Sequence, residues 1–455
     1  MQIGFLSLLQ FLLDPLQYFS STRIGIIPGL YLGRILSAFI IISLAFSPKY
    51  GSKYLLTALK SVFLSRSYFL FSWVTLLASV PVFLFSRDPS LWLRYGFLEP
   101  AANIIYLAIF SVLPSLISTA SQRFQLSKYF YRYLFFVIGI GFLDFILYFL
   151  GVNFLGHSLF DRVDVGSRFH SLFSEPRDYA VASVYLISLL AVFNISNLSH
   201  IGFPKLSFNI KLLLLFLLTI SPFLAKSATF ITGFVLFLCS LLFFILFLFL
   251  TQFKSYPRFL LLFIFLLITS LVGTYIIGSS LIFDARVVAY YENLSFALSS
   301  LSSADVIDSI LSIPLLRPQA STFLPIITFF NDISFGTLYH SLFGYGHGYV
   351  NNIISTQIAF DDTDIYNSYA GLPRLLCETG FIGLLSFAYM FFDVILRPFR
   401  LDANNLIFSN LKSKYTYFIL SIMLFCMYLV HRRQELFLYM GFVNCYLFQP
   451  PLKSN

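Results

Sequence analysis

Four arginines, Arg168, Arg177, Arg286 and Arg317, and one lysine, Lys226, stand in or beside the polar segments of a chain that is otherwise mostly apolar. A guanidinium donates paired hydrogen bonds to phosphate oxygens and stays charged at any working pH. Several such groups beside a membrane suit a lipid-linked phosphate or diphosphate. The structural alternative is pairing with nearby Asp and Glu, or with lipid headgroups. Lys226-Ser-Ala-Thr229 reads as a short turn whose lysine reaches an anionic headgroup or a substrate phosphate. Glu175 precedes a helical segment and lies beside Arg168 and Arg177, whereas Asp178 suits the first turn of that helix as a cap.

His340 and His347 flank a glycine-rich turn, Gly344-Tyr-Gly-His-Gly348, and His170 sits in an earlier polar segment. A neutral imidazole takes a proton from a sugar hydroxyl. A neighbouring diphosphate favours the imidazolium, and phosphate binding, instead. Glu175, His340 and His347 are therefore the catalytic candidates. No cluster of His, Asp and Glu has metal-ligand spacing, so no metal and no cofactor is expected; the run Asp361–Asp364 reads as a solvated acidic loop. There is no GxxxxGK[ST] or GxGxxG element in a strand–turn–helix context, so no nucleotide site is expected.

These residues must be positioned by a membrane frame. The chain has 455 residues, 58% hydrophobic, 19% aromatic and 11% charged, with mean hydropathy +0.84. Runs such as 229–250 and 259–278 carry no charge and match a hydrocarbon layer of about 30 Å as helices. Backbone amides in lipid must bond internally, and no β-barrel alternation is visible. The sequence predicts one all-α polytopic integral membrane domain over 1–455. Spans are expected near 3–20, 24–46, 68–86, 100–121, 133–152, 179–197, 210–225, 228–250, 259–278, 370–392, 416–430 and 436–449, about twelve in all.

The net charge of +9 reflects topology. With both termini inside, the short inner segments hold most Lys and Arg and only two acids, Asp393 and Asp402. By the positive-inside rule, two large polar loops then lie outside the cytoplasm: 153–178, and 279–368 with surface helices of its own. No nucleic-acid partner is implied. The four cysteines fall within expected spans, so no disulfide framework follows, and the N-terminus lacks the marks of a cleaved signal peptide. Arg34, Asp144 and Lys226 are intramembrane charges, which normally face the protein interior. Arg374 and Glu378, four residues apart on one helix, are expected to share a face and pair.

Four segments, in order, resemble the O-antigen polymerase (Wzy) and O-antigen ligase superfamily of bacterial envelope enzymes. They are Arg168-Phe-His-Ser-Leu-Phe-Ser-Glu-Pro-Arg177; Ala225-Lys-Ser-Ala-Thr229; Arg286 and Arg317 ahead of Leu342-Phe-Gly-Tyr-Gly-His-Gly348; and Tyr366-Asn-Ser-Tyr-Ala-Gly-Leu-Pro-Arg-Leu-Leu-Cys-Glu-Thr-Gly-Phe-Ile-Gly-Leu384. Two positions depart from the family pattern: Tyr366 stands where ligases carry a histidine, and Lys226 where arginine is common. Both lean toward a polymerase.

The resemblance implies a GT-C-like helical frame in the bacterial inner membrane with its active site on the periplasmic side. It implies inverting, metal-independent glycosyl transfer from a glycan on undecaprenyl diphosphate to a lipid-linked repeat unit. Diphosphate contact would fall to Arg168, Arg286 and Arg317, with Lys226 and Arg177 secondary. Acceptor activation would fall to Glu175, His340 or His347. Membrane lipid and an undecaprenyl-diphosphate-linked oligosaccharide are the expected partners, with a chain-length regulator protein a further candidate. The alternatives are a ligase that moves glycan to lipid A-core and, outside enzymology, a lipid-linked oligosaccharide flippase. A flippase predicts related halves with paired broken helices, and no internal repeat is visible.

Overall fold

The computed structural model describes residues 51–85, 89–112, 120–152, 169, 171, 176–195, 208–225, 227–251, 292, 326, 329, 338–350, 371–401, 411–430 and 435–447. Every element among the described residues is helical, with no strand. Among the described residues, four helices are long and apolar enough to cross a membrane: Arg66–Leu84, Trp92–Val112, Arg132–Phe149 and Gly371–Arg397. Phe216–Leu224 and Thr229–Leu242 meet the same test as a pair, bent by 117° across the break between them. Helices also cover Pro176–Ile195, Leu411–Val430 and Glu435–Leu447, where spans are expected. The expected spans near 3–20, 24–46 and 259–278, and the expected surface helices of the second loop, lie outside the described residues.

The Gly51–Leu64 helix departs from the sequence reading, as do Trp92–Leu98 and the start of Ala120–Phe149, which are helical where connections were expected. Gly51–Leu64 was expected as part of an inner connection, because it carries Lys53 and Lys60. It folds as a helix whose Ala58 and Val62 are fully buried, packed against the Leu107–Val112 segment. The lysines sit on the opposite part of its surface, so charge spacing masked an apolar stripe.

Among the described residues the core is mostly apolar but holds many small hydroxyls, and much of the exterior is apolar too, unlike a water-soluble bundle. Leu64, Leu84, Phe149 and Leu385 are broadly exposed, while Ser72, Ser183, Ser188, Ser221, Ser386 and Ser421 are fully buried. Small hydroxyls let helices approach closely and hydrogen-bond across the contact. Tyr179 Oη lies 2.6 Å from Ser221 Oγ, and Ser421 Oγ lies 3.0 Å from Tyr439 Oη. Asn444 donates to Tyr68 Oη and to the Ser111 carbonyl, knitting the last described helix to two others. Asp144 is buried, as an intramembrane carboxylate should be.

Two of these four spans are themselves broken. Pro81 has no amide hydrogen and cannot bond back to Leu77. The turn before it tightens: Ser79 bonds to Leu76 and Val82 to Ser79. The second break follows a π-helical turn, Arg374–Glu378, and falls at Gly380, whose φ of 67° and ψ of −170° suit glycine alone. Each break frees carbonyl groups from their helical partners.

Candidate functional site

The two breaks meet at one short turn. Gly344, Gly346 and Gly348 all have positive φ, which curls the chain back on itself directly after the Leu338–Phe343 helix. Its backbone amides point outward at the freed carbonyls. Tyr345 N–H donates to the Cys377 carbonyl at 2.8 Å, and Gly346 N–H to the Glu378 carbonyl at 3.1 Å. On the other side, His347 N–H donates to the Ala78 carbonyl at 2.9 Å. Cys377, Glu378 and Ala78 are all buried, so water cannot serve these groups. Leaving one unmet would cost about 1–3 kcal/mol. The turn therefore completes the hydrogen bonding of both broken helices.

Side chains extend the same contact. His347 is buried, with Nε2 at 2.8 Å from the Thr75 carbonyl and Nδ1 at 3.3 Å from Glu378 Oε2. The other carboxyl oxygen of Glu378 accepts from Gly348 N–H at 3.1 Å. Space is as tight as the bonding. A Cβ on Gly344 would lie 2.5 Å from the backbone at Glu378–Thr379. One on Gly380 would run into the Leu342 carbonyl. Glycine is needed at both places for close approach as well as for conformation.

His340 stands at the entry to this turn. Gly344 N–H donates to its carbonyl at 2.8 Å. Its ring stacks on Tyr345, 4.3 Å between centroids, and Tyr345 stacks in turn on Tyr349 at 4.0 Å. Among the described residues, no hydrogen-bond partner reaches the buried His340 Nδ1 or the buried Ser79 Oγ. Tyr339 and Phe343 present exposed aromatic rings beside it.

Arg374 and Glu378 do not pair. The π-helical turn between them carries more than four residues per turn, so spacing of four no longer aligns two side chains. Arg374 instead donates to Glu99 Oε1 at 3.1 Å, and both side chains are largely buried. Glu378 goes to the turn, as above. Asp393 pairs with Arg397 one helical turn on, and both bond Ser67.

The earlier motif segments also meet. Phe169 is buried, and its N–H donates to the Leu224 carbonyl at 3.1 Å. Leu224 directly precedes Ala225 and the Lys226 turn, so the first and second segments are joined through their backbones. Phe169 wedges between Phe142, Phe145 and Tyr179. Ser171, with φ 53°, donates to the Val137 carbonyl at 2.6 Å. The structure thus brings segment one to segment two, and the glycine turn of segment three to Glu378 and Gly380 of segment four.

Of the sequence-selected residues, His340 and His347 lie within the described side chains. Arg177 lies in the first turn of the Pro176–Ile195 helix. Arg168, Glu175, Lys226, Arg286 and Arg317 lie outside the described residues. Thr75, Ala78 and Glu99 were missed by sequence reasoning. Pro81, inside an expected span, is a signal that could have found the first pair. Among the described residues, no group of three His, Cys, Asp or Glu side chains comes together as metal ligands. Compared with models of known protein families and with curated proteins, the chain matches none.

Proposed function

We propose that the protein is a surface-polysaccharide polymerase that joins undecaprenyl-diphosphate-linked repeat units by inverting, metal-independent glycosyl transfer. A diphosphate is already a good leaving group. The enzyme's task is then to align two lipid-linked substrates and to stabilise the charge that develops on the departing diphosphate. In this reading Arg168, Arg286 and Arg317 grip the diphosphate, helped by Lys226 and Arg177. Guanidinium groups do this better in a water-poor cleft than in bulk solvent. His340 or Glu175 takes the acceptor proton, because both ring nitrogens of His347 already face protein groups.

The observation that carries the reading is His340 Nδ1. Among the described residues it meets no hydrogen-bond partner, and its helix leads directly into a turn that buried hydrogen bonds hold in place. A catalytic base needs such a fixed platform. The pairwise meeting of the four motif segments supports it further.

The experiment is reconstitution. Purified protein in detergent, given lipid-linked repeat units and no nucleotide, is expected to lengthen them. No lengthening by well-folded protein rules the reading out. Deletion in the host separates the ligase alternative: loss of a polymerase leaves core capped with one repeat, while loss of a ligase leaves bare core.

A further inference from the structure

We propose that His347 and Glu378 form a latch that shares a single proton and that positions His340. The latch itself rests on geometry; its service to His340 rests on the glycan-transfer reading above.

Start from the acceptors. Thr75 and Ala78 offer carbonyls freed by the first break, and Cys377 and Glu378 offer those freed by the second. A carbonyl only accepts, so the His347 Nε2 that faces Thr75 must carry hydrogen. Nδ1 then meets Glu378 Oε2, and two bare lone pairs would repel. One proton therefore lies between them, on nitrogen or on oxygen. Glu378 Oε1 accepts from Gly348 N–H in either case. Both arrangements leave the buried pair neutral as a unit, which suits its surroundings.

This pattern makes a specific chemical demand. The latch needs a donor toward Nδ1 and an acceptor toward Gly348, and it does not need a charge. A glutamine at 378 supplies both: its amide NH2 donates to a bare Nδ1, and its oxygen accepts from Gly348. An alanine supplies neither.

The pair controls His340 through two contacts. Tyr345, whose amide is pinned to Cys377, carries the stacked His340 ring. Gly344, at the foot of the turn, holds the His340 carbonyl. Releasing Glu378 frees the far end of the turn, and the stack loses its fixed base. His347 and Glu378 are thus positioning residues.

Hydrogen exchange read by mass spectrometry on the full chain in lipid nanodiscs tests the latch without any substrate. Amides of 344–350 are expected to exchange slowly in wild type and in E378Q, and about tenfold faster or more in E378A and H347A. The 384–396 helix serves as the control and should stay protected in all four. Wild-type protection in E378A, or rapid exchange in E378Q, overturns the latch. Where E378A does not accumulate, the E378Q comparison alone decides. Repeat-unit lengthening then tests the positioning: E378Q should retain it, while E378A should lose kcat with KM little changed. A protected but inactive E378Q would show that charge matters and would overturn the positioning role. If wild type itself lengthens nothing, the glycan reading fails, and the exchange data still judge the latch.

Discussion

The amide of Phe169 donates to the carbonyl of Leu224 at 3.1 Å. This one bond ties the end of the first polar loop to the entrance of the Lys226 turn. Arg168 and Lys226, both assigned here to diphosphate binding, each lie within two residues of it along the chain. Backbone bonding of this kind joins two segments that are far apart along the chain.

The Phe169 ring anchors that bond. Phe169→Ala removes a buried ring packed against Phe142, Phe145 and Tyr179 and should destabilise the fold by about 3–5 kcal/mol. Gly141→Ala attacks the same contact from the other side, since its Cβ would meet the Phe169 ring at 2.5 Å. Overpacking there should cost about 1–3 kcal/mol. Thermal unfolding of purified protein measures both, and wild-type melting in Phe169→Ala would remove the anchor.

Gly380→Ala should be among the most damaging single-methyl changes in the chain. The backbone there occupies a region open to glycine alone, at a strain of order 1–3 kcal/mol for any other residue. Collision with the Leu342 carbonyl adds to it. Poor membrane accumulation, or a melting temperature several degrees lower, is the expected readout.

Arg374 and Glu99 should show strong coupling. Removing one partner of a largely buried ion pair takes the counter-charge from the other, a loss of up to about 3–5 kcal/mol. R374A and E99A are each expected to destabilise. The R374A/E99A double variant should be less impaired than the sum of the two. A thermal-melt double-mutant cycle checks this, and simple additivity would mean that the pair contributes nothing.

Arg286→Ala and Arg317→Ala should abolish chain extension while leaving membrane insertion intact. Arg→Lys at either position should also impair it, because a point charge cannot replace a planar fork. Polymer length on gels, together with protein level in membranes, decides. Normal chain lengths in either alanine variant would exclude that arginine from the mechanism.

The legible part of this protein was its hydropathy. Apolar runs near 133–152, 228–250 and 416–430 located parts of the helices seen at Ala120–Phe149, Ala228–Thr251 and Leu411–Val430, because hydrogen bonding in an apolar medium leaves the backbone little choice but helix; the first and last of these helices begin earlier, in segments whose Arg and Lys read as connections. The Gly344–Gly348 turn was visible for a related reason, since repeated glycine marks a backbone that must take positive φ. Glu378 was misread because its expected pairing with Arg374 assumed regular α-helical spacing, and a π-helical turn intervenes. Glu99 was overlooked because its partner lies far away along the chain.

Composition and the order of residues determined that this chain is built of apolar helices, and where its few charges lie along it. Which of those charges meet was decided by tertiary structure. A hydropathy pattern reports what each residue avoids, whereas a hydrogen bond depends on where two groups end up in space. His347 meets the carbonyls of Thr75 and Ala78 because one helix is broken there and the glycine turn, distant in the chain, packs against the break.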